Sequence, residues 1–135
     1  MVDFALDREE EVCQWFALAK QDLDIAKHLY KTFHPTPDEP ICFHCQQSAE
    51  KYFKGFLVIN NIEPPKTHDL LELLELCERI STDFSEFRLK SSVLSRYGVA
   101  PRYPNGYDFT EDDIKLVLKY AEEIKIFITQ KTNRN

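Results

Sequence analysis

The densest cluster of reactive side chains in this 135-residue sequence is Cys42-Phe43-His44-Cys45. A Cys-x-x-Cys at a helix start can act as a redox dithiol, its thiolate steadied by the helix N-terminus. That chemistry belongs with a strand leading into the helix, and no strand pattern precedes Cys42. Zinc would need four ligands in workable pairs, whereas Cys13, Cys77 and His68 are isolated singles. Both cysteines fall instead on the apolar side of a helical pattern, where a free thiol serves as a small buried hydrophobe. Neither a metal nor a cofactor is expected.

The polar residues of the same segment are more informative. His44, Gln47, Lys51 and Lys54 are spaced 3, 4 and 3 apart, so they line one stripe of a helix, clear of its apolar seam. Downstream stand Lys66 and His68, then Arg96, Arg102 and Tyr103. If the helices pack side by side, these groups could converge into a cationic groove suited to phosphates. The plainer reading is a solvated helix face with scattered surface charges.

Five helical patterns must position these residues. The first runs from about Arg8 to Phe33, with Val12, Trp15, Phe16, Ala19, Leu23, Ala26 and Tyr30 at three- and four-residue steps. Three prolines between His34 and Pro40 break it. The second starts near Pro40 or Ile41 and ends near Asn60-Asn61. Its seam of Cys42, Cys45, Ala49, Tyr52, Phe56 and Ile59 is widened by Phe43, Phe53 and Leu57. Thr67 is the expected N-cap of the third, which carries Leu70, Leu71, Leu73, Leu74 and Cys77. The fourth begins near Asp83 with Phe84, Phe87, Val93, Leu94 and Tyr97, and Gly98 is its expected C′ residue. After a loop from Val99 to Phe109, Thr110 and Asp113 cap the fifth. Its core stripe is Ile114, Val117, Leu118, Ala121, Ile124 and Ile128, and Lys131 to Asn135 should fray. The pattern predicts an all-α protein, an antiparallel four-helix up-and-down bundle with a short fifth helix. It forms a single domain across residues 1–135, with its core at about 8–130.

Composition agrees. Apolar residues make up 43% and charged residues 30%, and the 3 glycines are few for a strand-rich fold. A net charge of −6 argues against a surface devoted as a whole to gripping nucleic acid, while leaving room for a local basic patch. No apolar run approaches the ~18 residues of a membrane span. Asp3, Asp7 and Glu9 to Glu11 are the opposite of a signal peptide's basic start, and four scattered cysteines fit reduced thiols in the cytoplasm. The 10 phenylalanines, 6 tyrosines and single tryptophan exceed what a lone bundle of this length requires. Some are therefore expected in a homodimer interface.

Taken in order, Asp22-Leu23-x-x-Ala26, the string from Cys42 to Lys51, Lys66-Thr67-His68-Asp69-Leu70 and Arg102-Tyr103-Pro104 resemble the HEPN domain (higher eukaryotes and prokaryotes nucleotide-binding). The resemblance extends from about Val12 to Ile128. It implies four long helices plus a short one, usually in a homodimer, and frequent pairing with a small nucleotidyltransferase as a toxin–antitoxin system. Active members are metal-independent ribonucleases. They use an Arg followed four to six residues later by a His, the histidine doing acid–base work on the 2′-hydroxyl and the arginine stabilising phosphate charge.

This sequence lacks that pair: its last histidine is His68, upstream of Arg79, Arg88, Arg96 and Arg102, and Arg8 lies far from His28. The expected function is accordingly non-catalytic: binding of nucleotide or RNA, pairing with a nucleotidyltransferase, or both. His44, Gln47, Lys51, Lys54, Lys66, His68, Arg96, Arg102 and Tyr103 are the candidate binding residues. The alternatives are a metal-independent ribonuclease toxin with a displaced active site, and a helical module that serves protein interaction alone.

Overall fold

A computed structural model describes residues 4–99 and 109–134, with the side chains of 4–6 and 99 excepted. Its helices are α1 (Phe4–Thr32), α2 (Asp38–Ile59), α3 (Leu70–Ile80), α4 (Arg88–Val99) and α5 (Glu111–Lys131), and among the described residues there is no strand. A 3-10 helix at Thr82–Phe87 leads into α4. The fourth element therefore does not begin as an α-helix near Asp83. The tighter turn points Phe84 and Phe87 inward before the regular helix takes over at Arg88.

α2 is the central helix and packs against all four others. Its partner α1 runs antiparallel to it. The Ser48 hydroxyl donates to the Ala19 carbonyl at 2.8 Å, and the Tyr52 and Phe16 rings meet at 5.5 Å. Gly55 lets α1 come close, since a Cβ there would collide with the Phe16 ring and lie 3.2 Å from Trp15 Cβ. α5 completes the other side, antiparallel to α1 through Lys27–Glu122 and Tyr30–Glu111, and antiparallel to α4 through Lys90–Glu123 and Tyr97–Asp113.

The seam read from the sequence is the core. Cys42, Cys45, Ala49, Tyr52, Phe53, Phe56 and Leu57 are buried, facing Leu23, Leu74, Ile114, Val117 and Ile124. Phe43 is a correction: at 46% exposed it stands outside the face it was expected to widen. Much of the aromatic surplus is internal, with Phe53, Phe56, Phe84, Phe87 and Phe127 in one chain of ring contacts 4.6 to 6.2 Å apart.

The helix ends follow local chemistry. Asp69, not Thr67, caps α3, its carboxylate accepting from the Leu71 amide at 3.0 Å. Thr67 acts one step earlier, its hydroxyl oxygen accepting from the Asp69 amide at 3.1 Å. Thr110 and Asp113 form a reciprocal capping box on α5. α2 ends in a Schellman motif: Ile62 N–H donates to Leu57 O at 2.9 Å and Asn61 N–H to Val58 O at 3.0 Å, with Asn61 at φ 63°. α5 ends the same way on Asn133, at φ 56°. Gly98 is the other correction. It lies within α4, and among the described residues no glycine has positive φ. Its role is close approach, for a Cβ there would meet the side chain of Gln46 and come within 3.1 Å of the Cys42 carbonyl.

Candidate functional site

The polar row of α2 exists, but it does not face solvent unaccompanied. Asp22 of α1, 7% exposed, sits opposite its middle. One carboxylate oxygen takes His44 Nδ1 at 2.8 Å and the other takes the Lys51 ammonium. With Nδ1 committed to a carboxylate, Nε2 is the ring nitrogen left to act. Around α2 the pattern repeats with Glu50, which is 3% exposed. It accepts from Lys54 at 3.1 Å and from His68 Nδ1 at 3.0 Å. The His68 ring is mostly in solvent, with its side chain 78% exposed.

Gln47 belongs to the second group. Its amide donates to Gln46 Oε1 at 2.9 Å, and Gln46, fully buried, donates to the His68 carbonyl at 3.0 Å. Gly98 packs against Gln46, so the end of α4 braces the same side chain. α1, α2 and the loop before α3 thus set two hydrogen-bonded groups side by side along α2, His44 and Lys51 on Asp22, and Lys54 and His68 on Glu50, with Gln47 attached to the second through Gln46.

Lys54 overturns one expectation. It is 6% exposed, buried between Glu50 and the Trp15 ring, whose centroid lies 5.5 Å from its ammonium. It is a fixed part of the packing rather than a solvent-facing cation. Paired with Asp22 and Glu50, Lys51 and Lys54 add no net positive charge to the face, so it differs from the cationic groove the spacing suggested. Lys66 and Arg96 are exposed and make no hydrogen bond or ion pair with the row; Arg96 lies over Tyr97 at 5.8 Å. Arg102 and Tyr103 fall outside the described residues.

The residues that sequence reasoning missed are the carboxylates. Asp22 interrupts the apolar stripe of the first helix between Ala19 and Ala26, and an acid at a core register needs a partner. Glu50 precedes Lys54 by one helical turn, a spacing that joins opposite charges. Both signals were present in the sequence. Three of the thiols belong to the core: Cys42, Cys45 and Cys77 are buried, and burial pushes Cys45 and Cys77 well above the ordinary thiol range. Among the described residues, no group of three or more His, Cys, Asp and Glu is placed to hold a metal ion.

The fold and this face define an antiparallel α-helical bundle organised around a central, largely buried second helix that carries one polar row. Residues 12–131 match the family model of the HEPN domain, and the chain belongs to that family. It is 31% identical over 132 residues to a protein of Methanocaldococcus jannaschii that carries the name "Putative toxin MJ1304", a match covering 84% of this chain and 85% of that protein. It is also similar to the crystal structure of ST0689, an archaeal HEPN homologue, with a TM-score of 0.70 and 25% identity over 89% of this chain and 96% of that one. No helix of the described residues is long and apolar enough to cross a membrane.

Proposed function

We propose that this chain is a non-catalytic HEPN protein of a toxin–antitoxin-like pair, binding RNA or nucleotide on the α2 face and docking a small nucleotidyltransferase. The observation that carries this reading is the row His44–Gln47–His68. Each ring is aimed by a buried carboxylate through Nδ1, and the amide between them is fixed by Gln46. Pre-positioned hydrogen-bonding groups of this kind, the outward Nε2 atoms and the Gln47 amide, suit base edges and sugar hydroxyls, which offer both donors and acceptors. Lys66 and Arg96, together with Arg102 and Tyr103, are the proposed flanking contacts. Similarity to a toxin-named protein supports the two-component setting.

Isothermal titration of the purified protein with ATP, other NTPs and a short single-stranded RNA tests the binding. Saturable heat that falls about tenfold in affinity in Gln47→Ala and His44→Ala is expected. No heat at high protein concentration overturns it. Co-purification with a small nucleotidyltransferase, should the neighbouring gene encode one, tests the partner.

We also propose a homodimer. Leu18 and Ile25 flank Asp22 on α1 and Phe43 adjoins His44, all three exposed beside the same face. Sedimentation giving a monomer at micromolar concentration refutes it.

A second reading, metal-independent RNA cleavage, draws on His44 and His68. Each is a carboxylate-held imidazole with Nε2 left to act, the usual form of a general base. RNA incubated with the protein in EDTA decides it: cleavage lost in His44→Ala or His68→Ala supports a displaced active site, and cleavage unchanged in both variants eliminates one.

A further inference from the structure

On the far side of α1 from the α2 face, a cavity of about 370 Å³ opens between α1 and α5. Phe16 and Tyr52 form an aromatic floor, their rings 5.5 Å apart, and Lys125 and Arg134 stand at its α5 side. Two of these groups lack protein partners. Tyr52 is 2% exposed, and its hydroxyl, which makes no hydrogen bond among the described residues, is open to the cavity rather than sealed in the core. The ammonium of Lys125 has no ion-pair partner among them either.

The charges facing this cavity are otherwise balanced. Lys20 holds Asp24 at 2.6 Å, Lys27 holds Glu122 at 2.7 Å, and Arg134 holds Glu9 at 2.8 Å. Burial, reinforced by Glu122 and Asp24, pushes the Tyr52 phenol above its ordinary range, so it stays protonated and able to donate. What remains is the apolar Phe16 ring with Tyr52 tilted 45° beside it, one donor hydroxyl and one uncommitted cation. The volume lies near the lower end of the ~300–1,000 Å³ of small-molecule sites, which limits the occupant to about one ring.

We propose that this cavity binds a small planar carboxylate, a one-ring aromatic acid. Its ring lies against Phe16 and Tyr52, and its carboxylate accepts from the Tyr52 hydroxyl and the Lys125 ammonium. The site is separate from the α2 face and does not depend on the function proposed there. Cys13 lines the same cavity and is the exposed free cysteine, the other three being buried, so its thiol reports occupancy.

The test uses the full chain with benzoate and phenylacetate, and with benzamide as the neutral isostere. Saturation-transfer NMR and calorimetry should show saturable binding of the acids, about tenfold weaker for benzamide and for Lys125→Gln, where the charge-assisted contact is lost. Tyr52→Phe keeps the ring and should weaken binding about fivefold. Saturating benzoate should also slow modification of Cys13 by 4,4′-dithiodipyridine. Absence of saturable binding for both acids overturns the proposal. So does binding of equal strength in Tyr52→Phe and Lys125→Gln when both melt like the parent protein.

Discussion

Replacing Lys54 with methionine while leaving Glu50 in place strands a carboxylate that is 3% exposed. Removing one member of a buried ion pair generally costs ~3–5 kcal/mol, because the remaining charge is desolvated without compensation. Here His68 still holds one Glu50 oxygen at 3.0 Å, from a ring mostly in solvent, which places the cost near the lower end. Lys54 also loses its cation–π contact with Trp15, worth ~0.5–1 kcal/mol, though a methionine thioether recovers part of that against the same ring. The net expectation is a loss of ~3 kcal/mol. For 135 residues the unfolding entropy is about 0.3 kcal/mol/K, so Tm should fall by about 10 °C.

Glu50→Gln should cost a similar amount by stranding the ammonium. The double variant Glu50→Gln/Lys54→Met buries only neutral groups, with the new amide still able to accept from His68. It should lose no more than either single change, giving a coupling of ~3 kcal/mol. Urea unfolding followed by the fluorescence of Trp15, the only tryptophan, and by circular dichroism measures all four proteins. Additive single effects, with a coupling below ~0.5 kcal/mol, would refute the buried pair as the organising contact of this face.

Four further outcomes are expected. Gly98→Ala gains up to ~1 kcal/mol of helix propensity but forces a methyl into Gln46 and the Cys42 carbonyl, at ~1–3 kcal/mol; net destabilisation in denaturant melts is the expected sign. At Asn61, φ 63° suits glycine, so Asn61→Gly should be near neutral and Asn61→Ala should cost ~1 kcal/mol by the same assay. The backbone hydrogen bond from Thr110, with lesser help from its hydroxyl and Tyr97, holds Asp113 below its ordinary 3.8. That contribution is whole above pH ~4 and lost as pH falls further; Thr110→Ala, which keeps the backbone donor, should cost ~1 kcal/mol at neutral pH, whereas Asp113→Asn should flatten the acid limb of stability against pH. Thiol titration of the native protein should find one fast cysteine, Cys13, with the other three reacting only on unfolding; two further fast thiols would restore the dithiol reading of Cys42 and Cys45.

The helices were legible because their signals are local. Alternating three- and four-residue steps of apolar side chains marked α1, α2 and α5, and Thr110 with Asp113 marked the start of α5 in the residues that make the capping box. The errors arose where two local signals competed or where a distant chain segment decided. Thr67 and Asp69 are both good caps, and only the geometry of the loop shows that the hydroxyl holds the Asp69 amide while the carboxylate holds the helix. Gly98 looked like a helix terminator because glycine so often is one; that Gln46 fills its missing side chain is a tertiary fact. The candidate site follows the same division. Spacing grouped His44, Gln47, Lys51 and Lys54 correctly, but solvent exposure cannot be read from spacing, and the burial of Lys54 depends on Trp15 from another helix.

Asp22 also determines how readily this face could change over evolutionary time. Its carboxylate engages His44 and Lys51 together, so Asp22→Asn would release an imidazole and an ammonium in one step and add a full positive charge to the face. A single base change can therefore turn a restrained, nearly neutral surface into one that attracts polyanions strongly. Any lineage needing tighter or looser hold on a charged partner has a one-residue dial, on the helix opposite the groups it controls.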